Sequence, residues 1–324
     1  MKKIIYLLCV LPFIGFIACN EEDFSAREHY KYVIYLLSEN EHNVFSAEYD
    51  LGKITEEGEI TAHLIVGCGG SLSNPEKFVV ELEPDVVLFD KYNRSNFDID
   101  VDKYARLLPE DKYQIESNRV VFPAHNTDQY VKMPIKVRTE GLSPDSIYFI
   151  PISIKSTSKY EVNKEKSGVL FRVTMKNDYA EQITDTYYQL RGTIIGEEGN
   201  NTSVSTSKLV RPLTHNSVRL YAGSNTQIVT TATIEDIKKY SIILTVDENN
   251  QVQITPYGTI QVEQLDGGPE WNIYEEAKTY LDTKIVKRFY LYYRYRTLKS
   301  PATSTQPEVW DNWITIKETL KRME

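Results

Sequence analysis

Between residues 30 and 322 the chain is cut into short β-branched and aromatic runs, separated by Pro, Gly, Asn and Asp. The sharpest run is FYLYYRYR (289–296), in which Phe289, Leu291, Tyr293 and Tyr295 alternate with Tyr290, Tyr292, Arg294 and Arg296. Successive side chains on a strand point to opposite faces, so one row is expected to enter a core and the other to leave it. MPIKV (133–137) and PISIK (151–155) alternate in the same way. This pattern demands an all-β fold built from sheets with one buried face.

In the first half, strands are expected at YKYVIYLL (30–37), VFSAEYDL (44–51), EITAHLIVG (59–67), FVVELE (78–83), VKMPIKVR (131–138), IYFIPISIK (147–155) and GVLFRVTM (168–175). Short strands punctuated in this way suit a β-sandwich. Between Asp85 and Leu108 the pattern weakens, and PDVVLFDKYN (84–93) has room for one helical turn. The strand pattern lapses again at KNDYAEQITDTYY (176–188), which sets a domain boundary near Asn177. Beyond it come TYYQLRGTIIG, VSTSKLVRPL, SVRLYAG, YSIILTV, QVQITPYG, GTIQVEQL, KRFYLYYRYRT and WITIKETLKR. DENN (247–250) joins two of these as a hairpin. WNIYEEAKTYL (271–281) reads as a short helix or an irregular loop. A series of this kind forms either a second sandwich or an up-and-down barrel. The expected organisation is a leader over 1–18, an acidic tether over 19–29, a sandwich over 30–177 and a barrel-like domain over 178–324.

The length, 324 residues, suits two domains, each large enough to bury a core. Acids outnumber bases by 46 to 37, the reverse of the basic footprint that nucleic-acid binding requires. Of the three cysteines, Cys9 and Cys19 fall in the N-terminal segment and Cys68 is left alone, so no intrachain disulfide is expected.

The N-terminus carries Lys2 and Lys3, then an apolar run from Ile4 to Ile17, then FIACNEEDF (16–24). That run is shorter than the roughly 20 residues of a membrane span and fits a secretory leader. Ala18 and Cys19 resemble a bacterial lipoprotein signal, which implies cleavage before Cys19, the residue that then becomes the acylated N-terminus. An ordinary cleaved signal peptide is the alternative. Glu21, Glu22 and Asp23 resemble the acidic export tag of surface lipoproteins in Bacteroidota; a solvated linker is the plainer reading. The implied location is the outer membrane, with the protein lipid-anchored and facing outward.

KYN (91–93), LLPEDKYQIESNRVVFPA (107–124), YFIPISIKSTS (148–158) and VTMKNDYA (173–180) resemble an immunoglobulin-like domain of Bacteroidota surface lipoproteins, also found before some family-18 endoglycosidases. YQLRGT (188–193) and FYLYYRYR resemble the β-rich, lipocalin-like domain that follows it in many such proteins. The resemblance implies a polysaccharide-utilisation system, with a glycan as ligand and an outer-membrane transporter complex as neighbour. It carries no binding motif with it.

Catalytic patterns are missing: there is no G-x-S-x-G, H-E-x-x-H or Gly-rich phosphate loop. A non-enzymatic protein without cofactor or metal is expected. DIDVDKY (98–104) opens like a calcium-binding loop, but Lys103 stands where the turn requires Gly and Pro109 where a bidentate Glu is needed. The candidate ligand residues are aromatic, because sugar rings present apolar faces to Trp and Tyr. Trp310 and Trp313 in EVWDNW (308–313), and Trp271 and Tyr274 in GGPEWNIY (267–274), stand in loop-like settings. Core filling is the competing role for each. Two functions remain open, glycan binding and a docking subunit that contacts a transporter or glycosidase without touching sugar.

Overall fold

The computed structural model describes residues 28–323 except 40, 197–198, 226–232, 279–283 and 303–305. Cys19, Glu21, Glu22 and Asp23 lie outside the described residues. Two β units follow one another along the chain.

The first is a sandwich. One sheet orders the strands Glu161–Val162, Val33–Leu36, Ile60–Gly69, Tyr130–Val137 and Tyr113–Gln114. The other orders Val44–Asp50, Gly168–Lys176, Tyr148–Thr157, Phe78–Pro84 and Arg119–Phe122, with Arg106–Leu107 also paired to Tyr148–Thr157. Their inner rows interdigitate through Tyr49, Leu64, Ile135 and Phe171, and Phe78 stacks on Phe122 with centroids 4.4 Å apart. Each such fully buried side chain contributes about 1.5–3 kcal/mol.

The expected single helical turn is a longer helix, Val86–Phe97. Asp85 caps it by accepting a hydrogen bond from the Leu88 amide at 3.0 Å. Leu88, Phe89 and Tyr92 share one face and cover Phe149 and Leu170 on the outside of the sheet. In the segment that follows, the Lys103 ammonium lies 2.7 Å from the Asp100 carboxylate. This segment's own lysine thus answers one of the acids that a cation would need.

The second unit is a near-closed barrel. Its sheet runs Val252–Pro256, Ser241–Val246, Ser217–Tyr221, Thr202–Thr214, Thr186–Ile195, Ile314–Met323 and Ile285–Arg296; Gln261–Gln264 and Ile273–Lys278 then both pair along the last of these. Every pairing in it is antiparallel. The seam closes where the Val252 amide donates to the Asn272 carbonyl (2.7 Å) and the Tyr274 amide to the Asn250 carbonyl (2.8 Å). The structure thus selects the barrel over the second sandwich, because this seam pairs the first and last edges.

EEAK, expected as helix or loop, is the strand Ile273–Lys278, paired residue by residue with 285–290. A helix not anticipated from the sequence, Ile234–Tyr240, begins at a capping box between Thr233 and Asp236.

The barrel interior takes one residue in two from each strand, among them Tyr188, Leu190, Val218, Leu220, Phe289, Leu291 and Ile316. It also holds charge. The Lys208 ammonium contacts both Glu318 carboxylate oxygens at 2.9 and 2.8 Å, and both side chains are essentially inaccessible. Tyr293 donates to Glu318 at 2.8 Å and accepts from the Gly223 amide at 2.7 Å. Burial pulls the Lys208 pKa down and pushes the Tyr293 hydroxyl well above its ordinary range. Gly223, at φ +58°, also lets Tyr295 come close: a Cβ there would lie 2.2 Å from the Tyr295 hydroxyl.

The connecting segment closes one end of the barrel. Asn177 donates to the Thr214 and Ser217 carbonyls at 2.7 and 2.9 Å, and Lys287 donates to the Asp178 carbonyl at 2.6 Å. Tyr179 packs edge-on against Tyr274 at 4.9 Å. On the sandwich side, Gln182 accepts from the Met175 amide (2.6 Å) and donates to the Pro144 carbonyl (2.7 Å). Arg219, fully buried on the outside of the barrel wall, pairs with Asp145 of the sandwich.

Candidate functional site

The outer face of the barrel is specified by alternation and register together. Residues of odd number on Thr186–Ile195, Thr202–Thr214 and Ile314–Met323 point outward, as do residues of even number on Ile285–Arg296, because their neighbours fill the core. Pairing then aligns them into rows across four strands. One row is Tyr292, Lys317, Thr193 and Ser203; the next is Tyr290, Thr319, Arg191 and Ser205. Adjacent strands lie about 4.8 Å apart, so each row brings its polar groups within reach of one ligand.

Over these rows lies an open groove of about 910 Å³, lined by Arg191, Thr193, Ser203, Ser205, Thr319, Lys317, Tyr292 and Trp271 among others. Trp271 comes from the loop between Gln261–Gln264 and Ile273–Lys278. Its amide donates to the Gly268 carbonyl at 3.1 Å. The next residue, Asn272, donates to the Leu265 carbonyl at 2.9 Å and accepts from the Tyr292 amide at 3.0 Å. A Cβ on Gly267 would stand 2.7 Å from the Trp271 ring and 2.9 Å from the Tyr292 ring, so the small residue lets both aromatics meet. Their centroids are 6.3 Å apart, edge to face. The Lys317 ammonium sits 5.1 Å from the Trp271 ring and 4.5 Å from the Tyr292 ring.

All three tryptophans of the sequence gather on this exterior, but they are not equivalent. Arg294 and Arg296 each lie 4.7 Å from the Trp313 ring, and Arg296 lies 5.2 Å from Trp310. Both guanidiniums are tied to the adjoining strand: Arg294 donates to Glu263 at 2.7 Å and Arg296 to Gln261 at 2.7 Å. All three rings therefore have a cation beside them, and Trp310 and Trp313 stand outside the groove lining. Trp271 is the one that lines the groove.

Tyr274, the fourth aromatic candidate, does not reach this face. It lies on a strand, is 8% exposed, and packs on Tyr179 and Phe289 within the plugged end of the barrel. The strand's alternation places Tyr274 opposite in sense to Ile273 and Glu275. Arg191, Thr193, Ser203, Ser205, Lys317 and Thr319 are absent from the sequence-derived candidates. Each looks like any exposed strand residue until register makes them neighbours.

A smaller cavity of about 310 Å³ lies in the sandwich beside Leu82, Leu108, Met133, Phe149 and Ile152. Its walls are mainly aliphatic and offer few groups to orient a polar ligand.

A family model for an N-terminal domain matches residues 29–161, and the companion C-terminal model matches residues 167–321. Among curated proteins none matches. A protein of unknown function from Bacteroides ovatus superposes with TM-score 0.67 at 15% identity, covering 90% of this chain and 94% of that chain. A multidomain protein including DUF1735 from the same organism gives TM-score 0.64 at 14% identity, over 90% and 94%. An auxiliary nutrient binding protein from Bacteroides thetaiotaomicron gives 0.60 at 12% identity, over 93% of both chains. These likenesses extend over both units and show the fold, an Ig-like sandwich followed by a lipocalin-like barrel, and the two adjoining family matches, which together span most of the chain, show that it belongs to this two-domain family.

Proposed function

We propose that the protein is a non-catalytic glycan-binding accessory of a polysaccharide-utilisation system, held at the cell surface by lipid on Cys19. The observation that carries this reading is the groove in which Trp271 and Tyr292 stand beside a floor of Thr and Ser hydroxyls. An aromatic wall accepts the apolar face of a sugar ring while hydroxyls and amides take its polar edge. The structural neighbour named an auxiliary nutrient binding protein supports the same reading.

Trp271→Ala should weaken glycan binding by roughly 1–3 kcal/mol, by analogy with base–aromatic stacking, and leave the thermal midpoint nearly unchanged. A glycan array on the purified protein followed by titration calorimetry on the variant measures this. An affinity unaltered by the substitution would refute the groove as the site. If the intact protein captures nothing on the array, the docking-subunit role takes its place.

Anchorage rests on the sequence around Cys19. Cys19→Ala should shift the protein out of the membrane fraction, since acyl chains contribute about 0.8 kcal/mol per buried methylene and nothing else holds it there in this reading. Among the described residues no helix is long and apolar enough to cross a membrane. Replacing Glu21, Glu22 and Asp23 with Ala should retain the lipid but abolish protease shaving of whole cells. Retention of a fully shaved, membrane-bound Cys19→Ala protein would end the lipoprotein reading.

A further inference from the structure

We infer that the groove on the outer barrel face takes an anionic saccharide, one bearing carboxylate or sulfate groups; the inference rests on the glycan reading above. The argument concerns charge pairing. Elsewhere on the barrel, three arginines at or near the surface have acidic partners: Arg288 with Glu275 at 3.2 Å, Arg294 with Glu263 at 2.6 Å and Arg211 with Asp185 at 2.7 Å. Such pairing is expected in a chain where acids outnumber bases by 46 to 37. The groove combines two cations with a lining free of acids. Arg191 and Lys317 both line it, and among the described residues neither forms an ion pair with a carboxylate. None of the described lining residues is acidic.

Placement adds to charge. Arg191 stands between Thr319 and Ser205 in one cross-strand row, and Lys317 between Tyr292 and Thr193 in the next. The two cations therefore occupy neighbouring rows on adjacent strands, on one side of a hydroxyl-rich floor. Lys317 also stands against the aromatic wall, 5.1 Å from Trp271. A sugar stacked on Trp271 would bring an acidic substituent on its ring to the Lys317 ammonium. The next acidic group along the chain would meet Arg191, whose planar fork suits carboxylate and sulfate oxygens. A neutral glycan would leave both cations without a counter-charge in a partly desolvated groove.

The test titrates the purified protein with three groups of polysaccharide. Polygalacturonate and hyaluronan supply carboxylates, dextran sulfate and cellulose sulfate supply sulfates, and dextran, mannan and fully methyl-esterified polygalacturonate are uncharged. We expect binding in one or both acidic groups, and which group binds identifies the anion. Affinity should fall about tenfold or more as salt rises from low to a few hundred millimolar, because screening weakens exposed charge contacts. Arg191→Gln and Lys317→Ala should each lose about tenfold, and Lys317→Arg should retain most of the binding. Trp271→Ala should also weaken binding, which separates a built site from diffuse attraction to any polyanion. Arg191 is exposed, so its variant keeps the test decisive if Lys317→Ala folds poorly. Uncharged polysaccharide bound through Trp271, with Arg191→Gln and Lys317→Ala unaffected, would overturn the anionic assignment while sparing the glycan reading. Failure of all three groups to bind would remove both.

Discussion

Lys208→Met should destabilise the barrel by about 3–5 kcal/mol, one of the two largest effects expected from a single substitution in this protein. The variant leaves the Glu318 carboxylate buried with Tyr293 as its remaining hydrogen-bond partner. Desolvating a carboxylate is costly, and in the native barrel the ammonium 2.8–2.9 Å away offsets that cost. The double variant Lys208→Met, Glu318→Leu should recover most of the loss, because an apolar pair of similar volume needs no compensation. Urea denaturation of the three proteins measures this directly. Equal destabilisation by single and double variants would mean that volume, not charge, governs the site.

Arg219→Ala should cost a similar amount, about 3–5 kcal/mol, but through the contact between the units rather than within one of them. Arg219 is fully buried and its partner Asp145, 9% exposed at the side chain, belongs to the sandwich. Burial lowers the Arg219 pKa to about 10, which still leaves the guanidinium charged at neutral pH. Removing it strands Asp145 against the barrel wall. The junction should then open more often, so limited proteolysis between Asn177 and Asp185 should accelerate as the melting temperature falls. Unchanged cleavage in a destabilised variant would show that Arg219 supports only its own strand. Asp145→Asn, which removes the opposing charge with little change of shape, should reproduce the loosened junction.

Much of the fold is legible without coordinates. Strands in both halves follow the β-branched and aromatic runs, and Phe289, Leu291, Tyr293 and Tyr295 do enter the core while Tyr290, Tyr292, Arg294 and Arg296 leave it. The departures have local causes. PDVVLFDKYN (84–93) has room for one helical turn, and the helix runs on to Phe97 because Asp85 caps it and the stripe of Leu88, Phe89 and Tyr92 finds Phe149 to cover. EEAK carries good helix formers, yet its pairing with 285–290 overrides a propensity worth only tenths of a kcal/mol per residue.

The candidate site was only partly legible. Trp271 is visible as a large aromatic in a turn-rich stretch, but Trp310 and Trp313 look the same in sequence and differ in standing outside the groove, beside Arg294 and Arg296. Tyr274, three residues past Trp271, belongs instead to a strand and a core.

The sequence by itself divided the side chains of each strand into two opposite rows, because alternation is a property of each strand alone. It also placed turn residues between the strands but left the number of strands open, because the strand Ile273–Lys278 reads as helix or loop. Tertiary structure alone decided which outward residues are neighbours. Arg191, Ser205, Tyr292 and Lys317 come from four separate strands, and their meeting depends on register and closure. A slip of one residue in any pairing would turn that strand's whole outward row into the core. Burial of the inner rows forbids such a slip, and so the packing of the barrel's interior positions the groove on its surface.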